Sequence, residues 1–178
     1  MRRTFALASL LTLAAGSPAR ASADTTCSGE GTHDVGKPAR VALQADALYA
    51  YAEKTFGKAL SCQVEYDTVD DATFFPAVTI QFKGASLRSS TTPGQFTRLE
   101  LTAQSGFPDS EAVRKALVAS VKGKKLDINW KKEELTRNTS AGLVTQKFHG
   151  AGASGDSLSA DLLVKGKQVI RVGYQIAL

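Results

Sequence analysis

Between residues 158 and 178, apolar side chains fall on every second position. Leu158, Ala160, Leu162 and Val164 make one run; Ile170, Val172, Tyr174, Ile176 and Leu178 make another, and Lys165-Gly166-Lys167 separates them. A period of two places an apolar and a polar face on an extended chain. Two such runs around a glycine-bearing turn predict a β-hairpin. Its apolar face must be buried against another layer, so the starting constraint is a sheet covered on one side.

The same period recurs upstream. Cys62, Val64 and Tyr66 alternate with Gln63, Glu65 and Asp67; Val78, Ile80 and Phe82 alternate with Thr79, Gln81 and Lys83. Leu99, Leu101 and Ala103 predict a third strand, Leu126, Ile128 and Trp130 a fourth, and Val144, Gln146 and Phe148 a fifth. Asp70-Asp71, Thr91-Thr92-Pro93-Gly94 and Asn138 to Gly142 carry turn chemistry. Two stretches follow the helical period instead. Pro38 opens the first, whose stripe of Val41, Ala45, Leu48, Ala52 and Phe56 ends before Gly57. The second starts after Pro108, with Asp109 or Ser110 as its cap, buries Val113, Ala116, Leu117 and Val121, and stops at Gly123. The expected fold is therefore α+β: one domain with a mostly antiparallel sheet of about seven strands and two helices, in the order α-β3-α-β4. The two halves read as a loose duplication of a helix and a meander.

Residues 1–23 have a different character. Arg2 and Arg3 precede an uncharged apolar run from Phe5 to Ala15, and Ala19-Arg20-Ala21 and Ala21-Ser22-Ala23 offer small-residue cleavage sites. This layout predicts a secretory signal peptide, read as secretion of the unfolded chain rather than twin-arginine export. The mature domain is then 24–178, with residues 24–37 as an N-terminal arm, and its place is periplasmic or secreted. No later segment is apolar enough to span a bilayer as a helix, so no integral membrane segment is expected after signal removal.

Removing 1–23 takes away Arg2, Arg3 and Arg20 and no acid, lowering the net charge from +5 to +2. A nucleic-acid partner needs a clustered basic footprint, which this balance does not supply. The charge is nonetheless uneven. Residues 24–111 hold 7 basic and 12 acidic side chains, whereas 112–178 hold 12 and 5. Lys122, Lys124, Lys125, Lys131 and Lys132 form the densest basic stretch. Together with Tyr51, which departs from the first helix's apolar stripe, they are the candidate partner contacts. Trp130 falls in phase with Leu126 and Ile128, which predicts a core position.

The two cysteines, Cys27 and Cys62, are expected to form a structural disulfide in an oxidising compartment. Chain-entropy reasoning gives such a bridge about 3–4 kcal/mol. Candidate catalytic groups are sparse. His33 and His149 are isolated, and no metal or cofactor site is expected. Asp70-Asp71 and Glu133-Glu134 are adjacent, so in a strand their side chains diverge. Gly150 to Gly155 lacks the Gly-Lys-Ser/Thr of a phosphate loop and reads as a strand connection.

Gly155-Asp156-Ser157-Leu158-Ser159 resembles the GDSL signature of SGNH-type esterases and lipases, which implies Ser157 as a nucleophile. In that family an Asp-x-x-His pair near the C-terminus completes the triad. No histidine follows Ser157, and Gln146 stands three residues before His149.

The leading functional expectation is an exported, non-enzymatic binding protein that engages another extracytoplasmic protein, in an inhibitor or immunity-type role. A carrier of a small apolar ligand lined by Phe74, Phe75, Phe82, Phe96 and Phe148 is the alternative, and a serine hydrolase using Ser157 with His149 is the third. Intact mass of the purified protein should match a chain beginning near Asp24 and should rise by two hydrogens on reduction. A mass retaining residues 1–23 with both thiols free would refute the export and disulfide readings together.

Overall fold

The computed structural model describes residues 27–28, 43–69, 73–92, 96–138, 141–152 and 155–177. Asp46 caps helix α1 (Ala47–Phe56): its Oδ1 accepts from the Leu48 N–H at 2.9 Å, and the Gly57 N–H closes the far end on the Glu53 carbonyl. Asp109 does the same for α2 (Ser110–Gly123), accepting from the Glu111 and Ala112 N–H groups at 2.9 and 3.0 Å. Glu111 sits in that helix's first turn, where a carboxylate suits the positive end of the backbone dipole. The first helix was expected as one run from Pro38 to about Phe56, but it is broken. Leu43 and Gln44 are helical, the chain turns at Ala45 and Asp46, and α1 starts afresh at Ala47 with Asp46 as its cap, while Pro38 and Val41 lie outside the described residues.

Strands β1 (Cys27–Ser28), β2 (Ser61–Val69), β3 (Thr73–Phe82), β4 (Ala85–Thr92) and β5 (Phe96–Ala103) belong to the first half. The second half supplies β6 (Leu126–Asn138), β7 (Leu143–Gly152), β8 (Ser157–Lys165) and β9 (Gln168–Ala177). All join one sheet in the order β1-β2-β3-β4-β5-β9-β8-β7-β6. Every pairing is antiparallel except β1 with β2, which is parallel. The fold is α+β with two described helices, as expected, but the expected seven strands and α-β3-α-β4 order are corrected to nine and β-α-β4-α-β4. The missing strands have physical explanations. β1 is two residues long, too short to show a period. β4 carries one large apolar residue, Leu87, among Ala, Ser, Thr and Arg, so its alternation has little amplitude. Each half is now a helix followed by a four-strand meander, and the last strands of the two meanders, β5 and β9, pair at the centre.

Both helices lie on one face of the sheet. Beneath them a row of facing residues crosses six strands: Cys62, Ile80, Leu87, Leu101, Val172 and Leu162, each buried. Cys62 is disulfide-bonded, and the β1–β2 register sets Cys27, the other cysteine of the chain, opposite it. Burying such rows away from water is the main favourable term in folding, about 25 cal/mol per Å² of apolar surface.

The opposite face is polar and internally paired. Arg88 meets Glu65 at 2.7 Å, Arg98 meets Glu100 at 2.6 Å, and Arg171 lies 3.4 Å from both Glu100 and Asp161. Gly173 lies between the last two acids in the cross-strand row. A Cβ there would come within 2.8 Å of the Leu99 carbonyl oxygen and 2.9 Å of Glu100 Cγ, so only glycine lets these side chains converge.

One polar node is buried within the apolar layer. Asp46 accepts from the Tyr174 hydroxyl at Oδ2 (3.0 Å), and from the Ser120 hydroxyl and the Leu48 N–H at Oδ1. All three polar side chains are buried, and they join α1, α2 and β9. Burial raises the Tyr174 pKa above the usual tyrosine value near 10, and the charge and hydrogen bond of Asp46 raise it further.

Asp46→Ala removes a helix cap and leaves two buried hydroxyls without their acceptor. It should cost about 3 kcal/mol in chemical denaturation. Because folded Tyr174 keeps its proton where the unfolded residue loses it, the stabilisation is complete below pH 10 and declines as pH rises above that value. Melting curves of Tyr174→Phe should therefore fall less steeply than wild type above pH 10; identical alkaline slopes would remove the node's role.

Candidate functional site

The inner-face rows stop being covered at β7 and β6. The row that includes Leu101 and Leu162 continues to Gln146 and then Leu135, which is 50% exposed. Its neighbour runs from Leu99 through Tyr174, Ala160 and Phe148 to Glu133. The uncovered end faces α2 across a cleft of about 420 Å³. Glu111, Arg114, Lys115 and Val118 line it from the helix, and Trp130, Glu133, Gln146 and Phe148 line it from the sheet. The helix residues are spaced by three and four positions and so share one face.

The cleft owes its shape to a break in the β6–β7 register. Asn129 pairs with His149, but Glu133 already pairs with Phe148, so residues 130–132 are inserted between them. The insertion places the Trp130 indole against Phe148, with ring centroids 4.6 Å apart in an edge-to-face arrangement. Phe148 is buried, whereas Trp130 is 38% exposed. The core position expected for Trp130 is thus corrected: it faces the core side, but the insertion carries it to the solvent boundary. Arg114 bridges the helix to the sheet, its Nη2 donating to Gln146 Oε1 at 3.1 Å. Lys115 and Glu111 stand 3.8 Å apart at the rim.

Lys122, Lys124 and Lys125 are exposed around the C-terminal end of α2, and Lys131 is exposed within the β6 insertion; the Lys132 side chain lies outside the described residues. Lys122 continues the cleft-facing stripe one turn beyond Val118. Tyr51 stands apart from them. It packs edge-on against Phe107 (5.9 Å) and its hydroxyl lies 3.5 Å from the Asp109 carbonyl, at the other end of α2. A 14-residue helix separates the two places by roughly 20 Å. Tyr51 is partly buried against the core, and burial is the main cause of its raised pKa.

The other sequence candidates are dispersed. His149 projects from β7 on the polar face, its Nε2 3.1 Å from Glu134 Oε1. Ser157 is exposed at the start of β8, where it pairs with Ala151, and no hydrogen bond to His149 is present among the described residues. Gly150 and Gly152 belong to β7; a Cβ on Gly150 would lie 2.0 Å from the Asp127 carbonyl oxygen, so this glycine serves close strand packing. Of the five phenylalanines, Phe148 lines the cleft and Phe82 packs against Tyr49 at 5.6 Å; the side chains of Phe74, Phe75 and Phe96 lie outside the described residues. His33, Asp70 and Asp71 also lie outside them. Among the described residues, no group of three His, Cys, Asp or Glu side chains could hold a metal ion, and no helix is long and apolar enough to cross a membrane.

Comparison of the chain with protein-family models, with curated proteins and with solved structures finds no match. Of the cleft's lining residues, Arg114, Lys115, Trp130, Phe148 and Glu133 are conspicuous in the sequence. Val118 and Gln146 are not, although helical spacing from Glu111 to Lys122 already marks a shared face. The insertion that carries Trp130 to the solvent boundary has no local signal.

The two cleft aromatics should differ in stability cost. Phe148→Ala, at a buried site, is expected to lose about 3 kcal/mol, and Trp130→Ala about 1 kcal/mol because much of the indole is already in water. Urea denaturation followed by circular dichroism checks this; equal losses would place Trp130 in the core.

Proposed function

We propose that this is an exported, non-enzymatic binding protein that engages another extracytoplasmic protein at the end of the sheet where α2, β6 and β7 meet. The observation that carries the reading is Trp130: a tryptophan held half in solvent by a strand insertion, buttressed by Phe148, beside an open cleft. Large aromatic residues in such settings commonly anchor protein interfaces. Lys122, Lys124, Lys125 and Lys131 border the same end and favour an acidic partner surface, raising its encounter rate more than its final affinity. Blocking such a partner is the form an inhibitor or immunity-type protein would take. A small apolar ligand is the second reading, favoured by the cleft volume, which falls within the range of small-molecule sites.

Site-specific photocrosslinking in the native host tests the proposal. A crosslinker at Leu135 or Lys131 should yield a discrete protein adduct, and one at Leu60 should not, since Leu60 is 68% exposed but precedes β2 near the opposite edge. Adducts of equal yield at all three positions, or none at Leu135 and Lys131, would overturn the assignment.

A further inference from the structure

The partly buried cations of the described residues are accounted for by acids, with one exception. Arg88 pairs with Glu65, Arg98 with Glu100, Arg171 with Glu100 and Asp161, and His149 with Glu134. The Asp46 node likewise has its hydrogen bonds satisfied within the fold. Arg114 is different. Its hydrogen-bonding partner is the neutral amide of Gln146, and it makes no ion pair among the described residues. A guanidinium carries five N–H donors in a planar fork suited to a carboxylate, and the Gln146 bond holds this one in place at the cleft while leaving donors free. Glu111 and Glu133 line the same cleft but neither lies within ion-pair distance of Arg114, so an arriving carboxylate would take up donors that no acid of the described residues fills.

The rest of the lining defines what should accompany the anion. Val118, Trp130 and Phe148 present apolar and aromatic surface, Lys115 is engaged at the rim with Glu111, and Glu133 stands on the sheet wall. The Glu133 carboxylate disfavours a second negative charge in the same space. From this arrangement we infer that the cleft binds an apolar group bearing a single carboxylate, with Arg114 receiving the carboxylate and Val118, Trp130 and Phe148 receiving the apolar part. The inference rests on the cleft being the contact site proposed above, and it names the chemistry recognised there. That chemistry has two sources: a free monocarboxylic acid, or the C-terminal carboxylate of a protein whose last residue is apolar.

Trp130 is the only tryptophan in the chain, so its fluorescence reports on the cleft directly. Mature protein is titrated with octanoate, octanol, octylammonium and octanedioate, and with N-acetyl-Ala-Ala-Leu as free acid and as amide, by emission and by calorimetry. Saturable binding of octanoate or the peptide acid is expected, weaker by about tenfold or more for the alcohol, the amine, the diacid and the peptide amide. Arg114→Gln should lose about tenfold or more in affinity, and Arg114→Lys less, with circular dichroism confirming the fold of both. Binding of octanoate alone assigns a free acid as the source; binding of the peptide acid alone assigns a chain terminus; both results support the inference. No response from either acid by both methods, equal binding of the uncharged analogues, or indifference to Arg114→Gln overturns it. Site-dependent crosslinks with any of these last results would leave the protein-binding proposal standing and remove only the carboxylate; loss of the crosslinks with carboxylate binding intact would do the reverse.

Discussion

Asp46 ties together three elements that are far apart in the chain. Its side chain caps α1, accepts from Ser120 on α2 and accepts from Tyr174 on β9. A carboxyl group placed under two helices is costly unless its oxygens are filled, and here both are. The node therefore does more than close a helix end. Apolar contacts between helix and sheet tolerate sliding, because the hydrophobic effect has no direction. Hydrogen bonds to a buried acceptor do not. The node ties both helices to the sheet centre, and the cleft lies between α2 and the β6–β7 end of the sheet.

The two halves use one arrangement with different outcomes. In the first, Tyr49 of α1 packs edge-on against Phe82 on β3. In the second, β6 runs for 13 residues, and α2 leaves the Leu135 end of the sheet open. Arg114, Gln146 and Glu133 put polar groups along that gap. The two halves thus share an order of elements, and the second carries a cleft beside its helix.

Much of this was legible in the sequence because it rests on local periodicity. The alternations around Cys62, Val78, Leu99, Val144, Leu158 and Ile170 each became a strand, and Asp109 became a cap. What escaped notice depends on neighbours distant in sequence. β4 is a strand because β3 and β5 flank it and Leu87 faces Ile80 and Leu101; Ser and Thr at its other positions carry little signal of their own. Trp130 continues a period of two from Leu126, yet the inserted residues break the ladder there. Asp46 stands between Ala45 and Ala47 with no sign in the sequence of its role, because its partners lie 74 and 128 positions away. The cleft itself was not legible, since its shape follows from a break in the β6–β7 register that leaves no local signal.

The register break between Asn129 and Glu133 has a consequence beyond the orientation of one indole. β6 is the last strand of the sheet among the described residues, and a long regular edge of that kind is a template on which another molecule's backbone can continue the ladder. The inserted residues interrupt that template midway, and Lys131 adds a charge at the interruption. The chain can therefore show an aromatic ring to its surroundings at a sheet edge while resisting fibrillar stacking with its own copies.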